Sequence, residues 1–313
     1  MPDNVPSWGI VSTIRGSAPD ILRFAAYHLD LGADRMYLYL DEPCPAAFNA
    51  LNRHPRIEIR NCDEGYWSNR KRERPDKHQV RQTANASFTY RKAEVDWLAH
   101  IDLDEFLWPQ SDLGVILAEI PQHIPAVRVR PIEPVGGTED LYKAYIPAGQ
   151  GRDGIVQALY PNFGGFVLAG FLSHVQGKLF VRKGLPKINF RIHNLFQDGE
   201  ILPTKVELPQ VDLCHRHAPD WDHWLAHYQF RFEKGSYQPG MSPNVPREQG
   251  GMNMNELLSW IEEEDGAHGL RAFYDEISGA DQEVRTRLEK FGLIKHRPLD
   301  LDGKVAKHFP GST

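Results

Sequence analysis

The chain predicts an α/β protein. The expected architecture is a mostly parallel, twisted sheet with helices on both faces, followed by a helical C-terminal region. Three observations carry that expectation. The N-terminal third alternates short apolar runs with amphipathic ones. Each apolar run stops at Gly, Pro or an acid, and from Asp220 onward the spacing turns helical. Strand, helix, strand in repetition is the pattern of parallel strands joined by crossover helices.

The elements follow in order. "WGIVSTIRG" reads as a strand from Gly9 to Ile14, closed at Gly16. Ser17-Ala18-Pro19-Asp20 is a helix-start signal, and Ile21, Leu22, Phe24, Ala25, Tyr27, His28 and Leu31 recur at helical spacing until Gly32. "RMYLYL" (Arg35–Leu40) is a strand that Asp41-Glu42-Pro43 turns off. A short helix from Pro45 to Arg53 and a strand "RIEIRN" (Arg56–Asn61) complete a second unit of the pattern. A charged loop, a helix from Lys77 to Ala93 and the strand "DWLAHID" come next. Pro and Gly are dense from Pro121 to Pro186, and strands are expected at Ala126–Arg130, Lys178–Arg182 and Val211–His215. "DWDHWLAHYQFRFEKG", "NELLSWIEEEDG" and "ADQEVRTRLEKFG" then read as helices. The expected boundary falls between residues 219 and 220. A helical extension, 220–313, packs on the domain 1–219, and the last dozen residues read as a loose tail.

Composition bounds the function. With 313 residues, 41% hydrophobic and 25% charged, the chain is of ordinary globular type. A net charge of -6 argues against a general nucleic-acid binder, so no nucleic-acid partner is expected. Cys44, Cys62 and Cys214 are scattered without a C-x-x-C pair, which excludes a zinc ribbon and suits a reduced compartment. No apolar stretch is long enough for a transmembrane segment, and "MPDNVPSWGI" lacks the basic-then-apolar order of a secretory signal. A cytoplasmic location is expected.

"WLAHIDLDEFLWP" places Asp102, Asp104 and Glu105 inside an apolar run. Buried carboxylates are costly unless paired or bound to a metal. In parallel sheets, ligands sit beyond the carboxyl ends of the strands, which is where these acids are expected. If the strand continues through them, Asp102 and Asp104 share one face. Two carboxylates at that spacing suit a hard divalent cation, Mn2+ or Mg2+, that also takes phosphate oxygens. The plainer reading is a solvated turn whose acids cap a helix.

"IRGSAPDILRFAAYHLDLGADRMYLYLDEP" followed by "DWLAHIDLDEFLWP" resembles the family-2-like glycosyltransferases, in the D-x-D-E-F subgroup related to family 92. "GKLFVR", "RIHN" and "LCHRH" ahead of "HYQFRFEKG" extend the resemblance to roughly Trp8–Gly235. It implies a GT-A type fold, with residues 1–219 as the nucleotide-sugar-binding catalytic domain. It also implies a UDP- or GDP-sugar donor, a divalent metal, and a glycan, lipid-linked or other hydroxyl acceptor, with inversion. By resemblance, Asp102 faces the ribose and the metal-bound diphosphate, and Asp104 ligates the metal. Arg15 and Asp41 hold the nucleoside. Lys77, His78, Arg81 and Gln82 are candidates for the base and phosphates. His215 completes the metal shell, with His193 as competitor.

The downstream base motif of the better-known family-2 pattern has no secure counterpart. Glu139 and Asp140 in "GGTED" are candidates for the general base, against the reading that both are exposed loop acids. Glu105 reads as a third candidate and more readily as a structural carboxylate. Lys178 suits phosphate if its strand runs toward the cleft, and otherwise the surface.

"NRKRERPDKH" (Asn69–His78) is a solvated loop with at least one contact to the donor in view. Tyr27 and His28 read as a core pair rather than catalytic groups. Trp221, Trp224, Tyr228 and Phe232 have the spacing of a buried helix face before that of a sugar platform. "FGGF" (Phe163–Phe166) reads as a flexible segment over the acceptor. Two other functions stay open. One is a non-catalytic binding module of the same fold. The other is a D-x-D phosphotransferase, disfavoured by the late position of the motif and by Glu105-Phe106 after it.

Overall fold

A computed structural model describes residues 5–71 and 73–311. In chain order the elements are β1 (Trp8–Ile14), α1 (Ala18–Asp30), β2 (Arg35–Leu40), α2 (Pro45–Leu51), β3 (Ile57–Asn61) and α3 (Glu64–Ser68). They continue with α4 (His78–Lys92), β4 (Trp97–His100), β5 (Glu105–Pro109), α5 (Leu113–Ala118), β6 (Ala126–Pro134), β7 (Leu141–Ala144) and α6 (Arg152–Leu159). Four strands follow, β8 (Lys178–Arg182), β9 (Ile188–Phe190), β10 (Leu195–Gln197) and β11 (Glu200–Leu202), then β12 (Glu207–His215). The chain closes with α7 (Trp221–Glu233), α8 (Met254–Ser278), α9 (Gln282–Lys290), β13 (Ile294–His296) and α10 (Leu301–His308).

These elements fall into two compact units. The first comprises Met1–Arg130, Gln176–Leu213 and Leu299–Thr313, the second Pro131–Val175 and Cys214–Pro298. The partition differs from the expected 219/220 boundary because β6 and β12 each pass from one unit into the other. The helical region beyond residue 220 does form, as expected.

In the first unit β1 pairs in parallel with β2 and β4, and β2 with β3. β8 runs antiparallel to β4 and β6. Every residue of β1 is buried, so both faces of this strand are covered. On one face Val11, Tyr37 and Tyr39 pack with Ala86 and Tyr90 of α4. Ser17 caps α1 by accepting the Asp20 N–H, and the helix buries Ile21, Leu22, Phe24 and Ala25. His28 belongs to this core. Its Nδ1 donates to Phe24 O at 2.9 Å and its Nε2 accepts from Leu107 N at 3.4 Å, and burial lowers its pKa to about 3. That is the core role expected for it.

The C-terminal residues are no loose tail. Leu299, Val305 and Phe309 are buried. α10 packs on α1, where Asp302 pairs with Arg23 at 2.6 Å and His308 lies 3.1 Å from Asp30.

In the second unit, the end of β6 pairs antiparallel with β7, and β7 with β13. Trp224, Tyr228, Leu257, Phe273 and Ile277 form its core with Trp221 and Phe232 against them, so the aromatic stripe of α7 is the buried face expected from its spacing. "FGGF" is packed rather than a loose flap. Phe163 lies edge-on to Phe273, and Glu276 accepts the backbone N–H groups of Asn162 and Phe163. Among the described residues, no helix is long and apolar enough to cross a membrane.

Candidate active site at the carboxyl edge of the parallel strands

Because β1, β2 and β4 run in the same direction, their carboxyl ends share one edge, with Arg15, Asp41 and Ile101 the first residues beyond them. α4 begins there too, since it runs back before β4. The acid motif lies just past this edge, but not on a strand. β4 ends at His100, and Asp102–Glu105 forms a turn in which Glu105 N donates to Asp102 O at 3.2 Å. Asp102 N in turn donates to Glu105 Oε2 at 2.8 Å. Asp102 and Asp104 therefore lie in a turn beyond β4, and strand alternation does not set them on one face as the sequence suggested. The turn also packs closely on the end of β1, where a Cβ on Gly16 would stand 2.4 Å from Leu103 Cδ2.

The three acids occupy different environments. Glu105 is fully buried and Asp104 is partly exposed. Asp102 is fixed on both oxygens. Gln82 Nε2 donates to Oδ1 at 2.5 Å, and Lys178 Nζ donates to Oδ2 at 2.6 Å. Lys178 is completely buried and lies 3.4 Å from Glu105 Oε2 as well. It is thus neither a surface lysine nor an open phosphate ligand, the two placements considered from sequence. Burial alone would raise the Asp102 carboxyl pKa, but the charge and hydrogen bond of Lys178 outweigh it and hold it below the usual carboxylate range. Burial likewise works against the Lys178 ammonium, while Asp102 and Glu105 push its pKa above the ordinary value.

Asp41 anchors the other half of the edge. Arg81 grips it through two hydrogen bonds of 2.6 Å, His78 Nδ1 lies 2.9 Å away, and Arg74 Nη2 lies 3.2 Å away. Burial opposes ionisation of Asp41, yet His78 and Arg81 hold its pKa well below the carboxylate range. Arg81 is itself fixed by Pro75 O and Asp76 O, both at 2.7 Å. His78, Arg81 and Gln82 therefore line one end of α4 facing Asp41 and Asp102. Arg74 was not singled out in the sequence; the basic run it sits in was the only signal. Arg72 of that run lies outside the described residues. Lys77 precedes α4 and is exposed, and Arg15 pairs with Glu42 at 3.0 Å on the open surface.

The remaining candidates divide between the units. In the first, His193 Nδ1 donates to Gly177 O at 2.9 Å, beside Lys178. In the second, His215 Nδ1 lies 3.2 Å from Ser173 Oγ, and its ring is 5.3 Å from both His174 and His217. Sequence reasoning missed Ser173 and His174, which a buried carboxylate sets in place. Glu133 accepts the N–H groups of Leu172 at 3.0 Å and Ser173 at 2.7 Å and pairs with the buried Lys143 at 3.4 Å. Asp140, also in the second unit, is a partly exposed acid 3.9 Å from His296, and the carbonyl of Glu139 lies 3.5 Å from Arg216.

The acid turn fits a divalent cation. Asp102, Asp104 and Glu105 bring hard carboxylate oxygens to one turn, with the Lys178 ammonium against Asp102 and Glu105. Asp104 and Asp102 are the residues that would hold such an ion.

Residues 11–122 match the model of glycosyltransferase family 92. That segment contains β1 from Val11 onward, the Asp41 cluster and the entire acid turn, and the match supports a glycosyltransferase enzyme. The family-92 match stops within the first unit, ahead of Lys178 and all of the second unit. A search of the curated proteins finds no match. Among solved structures, the chain is similar to HddC from Yersinia pseudotuberculosis at 10% identity, covering 62% of this chain and 74% of that one, with a TM-score of 0.30. It is also similar to the galactosyltransferase LgtC, solved with donor and acceptor sugar analogs, at 13% identity, 56% and 57% coverage and a TM-score of 0.27.

Proposed function

We propose that the chain transfers a sugar, with inversion, from a UDP- or GDP-sugar to a hydroxyl acceptor on a glycan or lipid-linked carrier, using Mn2+ or Mg2+. The observation that carries this reading is the acid turn, three carboxylates with Lys178 against two of them, seated at the shared carboxyl edge of β1, β2 and β4. A bound divalent cation neutralises negative charge as the nucleoside diphosphate leaves.

The protein's own groups then have separate tasks. Asp104, on the exposed side of the turn, holds the cation. Asp102, immobilised by Gln82 and Lys178, presents a fixed carboxylate toward the ribose and diphosphate. Arg74, His78 and Arg81, gathered on Asp41, give the nucleoside side of the cleft a preset array of donors. Glu105 is enclosed and bonded to the Asp102 N–H, which supports a structural role over that of general base.

The test is thermal unfolding with UDP, GDP and their sugars, with and without Mn2+, for the wild type and Asp104→Ala. Saturation at about 100 times Kd stabilises the fold by about 2.7 kcal/mol. The expected result is a nucleotide-dependent rise in melting temperature that needs Mn2+ and is lost in Asp104→Ala. If no nucleotide shifts the wild type with Mn2+ present, the proposal is wrong. Nucleotide binding without hydrolysis or transfer of the donor sugar establishes the binding-module alternative instead.

A further inference from the structure

The second unit commits a buried ion pair to one short stretch of backbone. Lys143 is completely enclosed and Glu133 nearly so, 3.4 Å apart, with the ammonium 5.0 Å from the Phe171 ring and 5.5 Å from the Tyr160 ring. Both partners grip residues 169–173. Lys143 Nζ donates to Gly170 O. Glu133 Oε2 accepts from Leu172 N at 3.0 Å, and its Oε1 accepts from Ser173 N at 2.7 Å. The stretch they hold is strained. Ala169 sits at φ 59°, a left-handed conformation that is costly for a residue with a Cβ, and Gly170 follows at φ +79°. A Cβ on Gly170 would lie 2.6 Å from Tyr160 Cε2. Stability alone does not account for the pair, because replacing a buried ion pair by apolar side chains of similar volume is often neutral or stabilising. What the arrangement delivers is the Ser173 hydroxyl, 3.2 Å from His215 Nδ1.

We propose that Glu133 and Lys143 are positioning residues: they lock residues 169–173 in the strained shape that holds Ser173 Oγ on the His215 ring. By resemblance His215 belongs to the cation, so the inference deepens the metal-dependent reading above and rests on it. A hydrogen bond to one ring nitrogen is how proteins fix the tautomer and orientation of a ligating imidazole. Here the hydroxyl is fixed in turn, through the backbone that Glu133 and Lys143 grip.

The experiment uses the full chain as wild type, as Glu133→Leu/Lys143→Met, as Glu133→Gln and as Ser173→Ala. The signals are amide hydrogen exchange across residues 168–175, the NMR resonances of the His215 ring nitrogens, assigned with His215→Gln, and affinity for Mn2+ alone. The double variant is expected to melt close to wild type, since it strands no charge. Its Leu172 and Ser173 amides should nevertheless exchange at least ~10-fold faster, having lost their acceptors. Its His215 resonances should move to those of Ser173→Ala, and both variants should bind Mn2+ about 10–100-fold more weakly than wild type. A pair with a structural role alone leaves the His215 ring untouched. Wild-type His215 resonances in the folded double variant therefore overturn the proposal, whatever its melting temperature.

Should the double variant not fold, Glu133→Gln decides by the same signals, because it keeps the shape of the side chain and removes one of its two acceptor oxygens. Moved resonances with unchanged Mn2+ affinity support the positioning and take His215 away from the cation. If the wild type itself binds no Mn2+, the metal-dependent function fails, and exchange and ring resonances still decide the role of Glu133 and Lys143.

Discussion

Gly177→Ala tests the link between backbone geometry and the site. The alanine must adopt φ +67°, in the left-handed region, and its methyl would meet the carbonyl oxygen of Val129 at 2.0 Å. The first effect costs about 1–2 kcal/mol. The second cannot be relieved by a rotamer change, since the obstructing atom is backbone, and forced overpacking costs about 1–3 kcal/mol more. The sum, about 2–5 kcal/mol, is a large part of the stability of an ordinary domain. At about 2–4 °C per kcal/mol the melting temperature falls by roughly 4–20 °C, measured by circular dichroism in the absence of metal. A fall of less than ~2 °C would refute the close approach of β8 to β6.

Three further outcomes follow from the structure. Asp41→Ala strands the nearly buried Arg81 and disperses Arg74 and His78, and should cost about 3 kcal/mol in urea unfolding, with loss of nucleotide-dependent stabilisation. A cost below ~1 kcal/mol would show that the cluster is not formed. His28 has a folded pKa near 3 against 6.5 when unfolded, so the unfolded chain takes up the proton first. Stability is therefore full above pH 6.5 and falls by about 1.4 kcal/mol per pH unit below it. Between about pH 7.5 and 5.5, wild type should lose about 1 kcal/mol more than His28→Asn, and an identical pH slope would reject a buried neutral imidazole. Removal of residues 299–313 exposes the surface that Leu299, Val305 and Phe309 cover and should cost about 4 kcal/mol, whereas a loose tail could be cut with no change in melting temperature.

The parallel half of the sheet was legible because β1 and β2 carry apolar runs too short for helices and end in unambiguous stops. β2 was read at its observed limits, and so was β8. Asp41, Asp102 and the α4 residues were legible as site groups because they follow strand ends or open the helix before the motif. What escaped was set by contacts distant in sequence. Nothing near Ile101 announces that β4 stops at His100; the turn is closed by the Glu105 side chain reaching back to Asp102 N. Lys178 sits 76 positions from Asp102, and its burial depends on Gly177 meeting Val129. α10 carries few apolar residues of its own, so its packing on α1 leaves little trace in local periodicity. The segment at Asn162–Phe163 looked loose because its anchor, Glu276, lies 114 positions further along the chain.

The run Asp102-Leu103-Asp104-Glu105 combines acids that would repel one another if they shared one setting. The fold separates them by depth. Glu105 lies innermost and closes the turn on Asp102 N, Asp102 is pinned between a neutral amide and an ammonium, and Asp104 remains at the wet side. Leu103, between the aspartates, packs against Gly16 at the end of β1 and ties the turn to the strand beside it. The inner acids are therefore tolerated because a lysine from β8 enters the same space, while the outer one stays partly exposed. The setting of the inner acids therefore depends as much on Gly177-Lys178 as on the motif itself, so exchanging the motif alone into another α/β sheet would transfer the carboxylates without the ammonium that holds them.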